Sequence, residues 1–244
     1  MTVSIGPGWS IGNGWTIGTI TAPTLMLSLD AATYSGSGDW IDSVSSKHFV
    51  LNNSPTWSNS IGGGSFLFDP ASGQWANSST SLSNMSTWTV EAWHYYTGNN
   101  AGVDSGAIGA CIITETYTGT PNAINYTLGN ANSVATTDLQ AGFWTGPPWH
   151  TTGTGITLTT NTWNQIVGTY DGSTIKLYIN NSMVSSTSYS GTPTSSGLGI
   201  RLMRRWDNAD YWGGRLAIVK IWNGDIGSGG VTSSWNANKA RFGL

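Results

Sequence analysis

Apolar and polar residues alternate with a period of two from Leu25 to the C-terminal region, and helical periodicity is nearly absent before residue 230. Leu25-Met26-Leu27-Ser28-Leu29 opens the pattern and Ser65-Phe66-Leu67-Phe68-Asp69 repeats it. Thr87 to Tyr96 carries it over a longer strand, with Trp88, Val90 and Ala92 on one face. Aromatic residues occupy both faces of this segment, which predicts a sheet covered on both sides along part of its length.

The clearest local unit runs from Trp163 to Val184. Trp163 to Tyr170 reads as a strand and Asp171-Gly172 as a two-residue hairpin turn, after which Ile175, Leu177 and Ile179 face one way. Asn180-Asn181 tolerates the positive φ of another turn, and Met183 to Thr187 completes a three-stranded meander. Arg215 to Trp222 is mostly apolar and predicts a final strand lying centrally in a sheet. Between residues 97 and 162 Gly, Thr and Pro punctuate short apolar runs, predicting short strands and long loops. One short helix is expected, Val231 to Ala240, with Thr232 as its N-cap and Val231, Trp235 and Lys239 on one side.

Composition narrows the class. Charged residues are only 9%, while aromatic and β-branched residues are plentiful and tryptophan reaches 14, a balance suited to an all-β domain with polar turns. Cys111 is the only cysteine, so neither an intrachain disulfide nor a cysteine zinc site is available and stability must come from packing. Net charge is −3, but residues 1–175 hold nine acidic residues against Lys47, whereas the remainder holds eight basic residues against Asp207, Asp210 and Asp225. The fold is expected to mix these charges over its surface; the competing reading is complementarity between repeated copies. A net acidic chain argues against nucleic-acid binding. Neither a signal peptide nor a membrane-inserting segment is evident.

Ahead of the alternating region lies a sixfold-period repeat, Ser4-Ile5-Gly6-Pro7-Gly8-Trp9, Ser10-Ile11-Gly12-Asn13-Gly14-Trp15 and Thr16-Ile17-Gly18. The large apolar residues of this stretch, Ile5, Trp9, Ile11, Trp15, Ile17 and Ile20, are too few to offset the entropy of ordering so Gly-rich a segment. Residues 1–22 are therefore expected to be an arm held by neighbouring chains, and residues 23–244 one domain.

The ordered elements resemble the concanavalin A-like lectin/glucanase superfamily in its laminin-G-like and pentraxin-like branch. Leu27-Ser28-Leu29-Asp30-Ala31 is similar to its opening strand and Trp88-Thr89-Val90-Glu91-Ala92-Trp93 to its Thr-hydrophobic-x-x-Trp strand. Thr169-Tyr170-Asp171-Gly172 with Leu177-Tyr178-Ile179-Asn180 resembles its hairpin, and Leu216 to Trp222 its closing strand. The terminus Trp235 to Leu244 resembles that of laminin-G-like domains in virion proteins of tailed bacteriophages. The expected fold is thus an all-β, two-sheet antiparallel jelly-roll sandwich preceded by the Gly-rich arm.

The resemblance implies two main functional classes, with a degenerate glycosidase as a third. The first is a non-enzymatic virion structural protein on the particle exterior, a capsid decoration or fibre subunit that forms homo-oligomers and contacts other virion proteins through its arm. The second is a carbohydrate-binding module for host-surface glycans. Hydrolysis on this fold uses Glu-x-Asp-x-x-Glu in related glucanases. Here only Glu91 and Glu115 exist, each lacking a carboxylate two or four residues away, so no catalytic residue is assigned. Glu91-x-x-His94 sits on alternate strand faces, and His48, His94 and His150 lack metal-ligand spacing. Asp30, Asp39, Asp42, Asp69 and Asp171 are expected to hydrogen-bond their own turns, with structural calcium as the alternative and no other cofactor.

Sugar rings need aromatic platforms beside polar groups, and two loops supply them. They are Phe143 to His150, with Trp144, Trp149 and His150, and Arg205 to Trp212, with Trp206, Asp207, Tyr211 and Trp212. The competing reading is that these aromatics close the ends of the sandwich or pack against a neighbour.

Overall fold

The computed structural model describes residues 22–101, 108–117, 123–131, 138–207 and 210–244. The strands are β1 (Thr24–Asp30), β2 (Trp40–Ile41), β3 (His48–Asn52), β4 (Thr56–Ser58), β5 (Ser65–Phe68), β6 (Trp75–Asn77), β7 (Trp88–Ala101) and β8 (Ile108–Glu115). They continue as β9 (Ile124–Ala131), β10 (Leu139–Trp144), β11 (His150–Thr151), β12 (Trp163–Tyr170), β13 (Thr174–Ile179), β14 (Ser182–Ser188), β15 (Ile200–Leu202) and β16 (Tyr211–Asn223), followed by helix α1 (Gly227–Asn238).

These strands form two antiparallel sheets. The first runs β14-β13-β12-β7-β16-β5-β4, with β1 also pairing β16, so β1 and β5 share one edge of the long closing strand. The second runs β11-β10-β9-β8-β15-β6-β3-β2. Their inner faces interdigitate in one core that includes Leu27, Leu29, Phe66, Trp88, Val90, Tyr126, Leu128, Phe143, Tyr170 and Leu177. The sheets approach closely at Gly168, where an added Cβ would lie 2.7 Å from Ala141 Cβ and 2.9 Å from Leu128 Cδ2.

The alternation places its residues as predicted. Trp88, Val90 and Ala92 point into the core, while Trp93, on the other face of β7, lies between Trp235 at 5.6 Å and Phe242 at 4.5 Å, both nearly parallel to it. The first sheet is therefore covered on its outer face by α1 and by the 3-10 turn that follows it, Lys239–Phe242. β12 is buried at every position for the same reason: Ile166 and Tyr170 face the core, and Val167 packs under Val231.

Two expectations are corrected. The helix begins at Gly227 rather than Val231 and ends at Asn238, so Thr232 is internal and its hydroxyl donates to Asn181 Oδ1 instead of capping. Asp225 Oδ1 accepts from Gly227 N–H at 2.7 Å, and Ile226 and Val231 dock on Val167 and Tyr178, which overrides the poor helix propensity of Gly-Ser-Gly-Gly. The region from 97 to 162 also holds longer strands than its punctuation suggests, because β8, β9 and β10 form the middle of the second sheet. The arm residues Ile5, Trp9, Ile11, Trp15 and Ile17 lie outside the described residues. Among the described residues no helix is long and apolar enough to cross a membrane.

Candidate functional site

The outer face of the second sheet is free of α1, and strand alternation decides what it displays. Leu139, Ala141 and Phe143 enter the core, so Trp144 points outward at the end of β10. Ile200 and Leu202 enter the core, so Arg201 points outward; Ala76 does the same for Trp75.

Both aromatic loops named from the sequence reach this face and meet on it. Trp144 and Trp149 lie 5.0 Å apart at 45°, and Trp149 and Trp206 lie 4.9 Å apart at 48°. Trp206 is buried on Cys111 and Ile124, whereas Trp144, Trp149 and the neighbouring Tyr117 are half-buried. The Trp206 carbonyl accepts from the Tyr117 N–H at 3.3 Å, tying the turn to the end of β8. Burial pushes the Cys111 thiol up to about 12, so the sulfur serves as packing beneath the rings.

A cationic segment continues the array. Arg205 Cζ stands 4.2 Å over the Trp206 ring, and its Nη1 donates to Asp210 Oδ2 at 3.0 Å in a buried ion pair. Asp207 Oδ1 is 3.4 Å from Arg205 Nε, with 39% of its side chain exposed. Arg201 donates from Nε to Thr116 Oγ1 and from Nη1 to the Arg205 carbonyl, both at 3.1 Å, and its Cζ is 5.2 Å over Trp75. Arg204 then lies between two rings, 4.3 Å from Trp75 and 4.9 Å from Tyr211. A continuous platform thus runs from Trp144 through Trp149, Trp206, Arg205, Arg201 and Trp75 to Arg204 and Tyr211.

The sequence-derived residues divide accordingly. Trp144, Trp149 and Trp206 come together, Asp207 sits at their rim, and Tyr211 joins through Arg204. Trp212 does not belong: it is 0% exposed, in the core 5.6 Å from Tyr96, because it alternates with outward Tyr211. His150 does not belong either, since it pairs with Phe143 and shares that residue's face, stacked 3.7 Å from Tyr189. Burial lowers the His150 pKa. Trp75, Arg201 and Arg204 were not assigned from the sequence. Three arginines within five positions, in a chain with nine basic residues, were the available signal.

The remaining carboxylates have structural partners. Glu91 is buried under α1 and accepts from Trp93 Nε1, Gln165 Nε2 and Ser234 Oγ at 2.7 to 2.9 Å. Glu115, whose pKa burial raises, accepts from the Ser81 and Ser195 hydroxyls and from the Asn125 and Ser196 N–H groups. The two glutamates therefore lie on different sheets. Asp30, Asp42, Asp69 and Asp171 accept from their own turn backbones, as expected from the sequence. Asp39 instead faces His48, with 3.1 Å between Oδ2 and Nδ1. Among the described residues no cluster of three or more His, Cys, Asp or Glu is placed to hold a metal ion.

Comparison with known proteins agrees with this architecture. No curated protein matches the sequence. Domain 4 of AbnA, a GH43 extracellular arabinanase from Geobacillus stearothermophilus solved with arabinotriose, superposes with a TM-score of 0.66 at 15% identity, over 87% of this chain and 98% of that one. The binding domain of botulinum neurotoxin DC, solved with SialylT, gives a TM-score of 0.63 at 13% identity, over 88% of this chain and 51% of that one. The chain spans about half the length of that toxin domain, and at these identities the likeness is one of fold. A family model also matches residues 70–229, more than half of the chain. With two antiparallel sheets, one face sealed by a helix and the other bearing aromatic rings, the chain belongs to the Laminin_G_3 family of the concanavalin A-like lectin/glucanases superfamily.

Proposed function

We propose that this domain binds carbohydrate non-catalytically on the outer face of its second sheet. The observation that carries the reading is the Trp144, Trp149 and Trp206 array: two half-exposed indoles supported by a buried third, with Asp207 at the rim. Indole faces suit the C–H faces of sugar rings, and fixed polar groups beside them suit hydroxyls. The sugar-bound structural neighbours support this use of the fold. Binding is favoured over hydrolysis because Glu91 and Glu115 are buried among structural donors on separate sheets. Trp149→Ala is expected to weaken glycan binding roughly 10- to 100-fold by titration calorimetry. Its thermal midpoint should stay close to the parent's, since the ring is half-exposed. Unchanged affinity in a folded variant would dismiss the platform.

We also propose that the domain works as the lectin-like head of an assembled particle, a bacteriophage exterior subunit held through residues 1–22. Support comes from the Ile/Trp hexapeptide repeat and from the resemblance of the Trp235 to Leu244 terminus to phage virion domains. Deleting residues 1–20 should abolish incorporation into particles while glycan binding persists. Normal incorporation would remove the anchoring role.

A further inference from the structure

Among the described residues no carboxylate hydrogen-bonds Arg201, which leaves its charge incompletely balanced. Its side chain is outward-facing yet covered, with the residue 8% exposed, and its hydrogen bonds go to a hydroxyl and a carbonyl rather than to a carboxylate. Asp207 and Asp210, the acids of the same turn, both lie against Arg205, and Asp207 also attracts Arg204, whose side chain hydrogen-bonds Tyr211. The charge that acts most strongly on Arg201 is a second cation, Arg204, which outweighs the opposing pull of Asp207 and is itself half-buried between Trp75 and Tyr211. Burial, reinforced by Arg204, lowers the Arg201 pKa to about 10. Covering a guanidinium without a carboxylate of its own is costly, and a fixed planar cation held over aromatic rings is preorganised for a carboxylate or sulfate.

Resting on the sugar-binding reading of the same face, we infer that the preferred ligand is an anionic glycan whose carboxylate or sulfate lies against Arg204, with Arg201 behind it. The tryptophans then take the sugar rings while the arginines select charge. This division follows the order of the platform, in which Trp144, Trp149 and Trp206 occupy one end and Arg204 with Tyr211 the other. Cationic selection also makes binding sensitive to ionic strength, because the accessible guanidinium is only half-buried.

The test is a glycan array carrying matched neutral, carboxylated and sulfated members of the same backbones, probed with the full chain and with Arg204→Gln. The expected result is at least tenfold stronger retention of anionic members, lost in Arg204→Gln and reduced by 0.5 M NaCl, a concentration at which the screening length is about 4 Å. The carboxylated and sulfated arms identify the anion. Equal retention of neutral and anionic members by the parent chain would overturn the inference while leaving the sugar-binding reading intact. An array that binds nothing in any set would overturn both. Thermal midpoints check that Arg204→Gln is folded; the neutral-against-anionic comparison in the parent decides the matter without the variant.

Discussion

Stability is expected to fall as pH drops below about 6.5, and His94 is the principal cause. The ring is completely buried near Tyr96 and Trp212, and among the described residues neither nitrogen has a well-formed hydrogen bond. Burial lowers its pKa from 6.5 to about 3, only partly offset by the Gly213 backbone. The unfolded chain therefore binds a proton that the folded chain refuses between these limits. The contribution is fully present above pH 6.5 and declines by about 1.4 kcal/mol per pH unit, reaching roughly 4–5 kcal/mol of loss near pH 3. His150, whose pKa burial also lowers, adds in the same sense. Glu115 acts oppositely: burial raises its pKa, so the folded chain takes up that proton before the unfolded one and gains stability as pH falls. Asp171 is held at about 2, where hydrogen bonds from Lys176 and Ser173 outweigh burial, so its contribution is lost only in stronger acid. Comparing the parent with His94→Phe isolates the buried ring from these other groups. Urea midpoints followed by tryptophan fluorescence should drop more steeply between pH 6.5 and 5 in the parent than in His94→Phe. Parallel curves would show that the ring takes up its proton in the folded state.

Replacing Glu91 with Ala should cost about 3–5 kcal/mol and release the C-terminal segment before the sandwich melts. Glu91 Oε1 accepts from Trp93 Nε1 at 2.8 Å, Gln165 Nε2 at 2.9 Å and Ser234 Oγ at 2.7 Å, so one side chain joins β7, β12 and α1. Removing it strands three donors and leaves a cavity beneath the helix. Glu91→Gln, which retains one acceptor and the volume, should cost less. Urea unfolding measures the loss, and amide exchange over residues 227–242 should accelerate first. Glycan binding should persist in the folded fraction, because the platform is on the other sheet. Equal exchange in parent and variant would show that aromatic stacking on Trp93 alone holds the helix.

The extent of sequence legibility differs from element to element. Strand faces were readable because alternation reports burial directly, as Trp88, Val90 and Ala92 illustrate. The hairpin after Tyr170 was readable because its turn chemistry is local, and Gly172 adopts φ +95°, although the turn centres on Gly172-Ser173, one residue later than Asp171-Gly172, because Asp171 N–H donates to the Thr174 carbonyl. The start of α1 was not, because its docking on Val167 and Tyr178 is a tertiary effect that outweighs local propensity.

By itself the sequence determined the strand faces, the meander and the two aromatic loops through local periodicity and turn chemistry, while the two-sheet sandwich followed from the family resemblance. Only the tertiary structure decided that Trp149 meets Trp206, that Trp212 faces inward, and that Arg204 sits between Trp75 and Tyr211. Trp149 with Trp206 and Trp75 with Arg204 are far apart in the chain, and strand order and register, which bring them together, leave no local trace in composition or spacing, while at Trp212 the register shift before Gly214 interrupts the alternation that runs through the rest of β16.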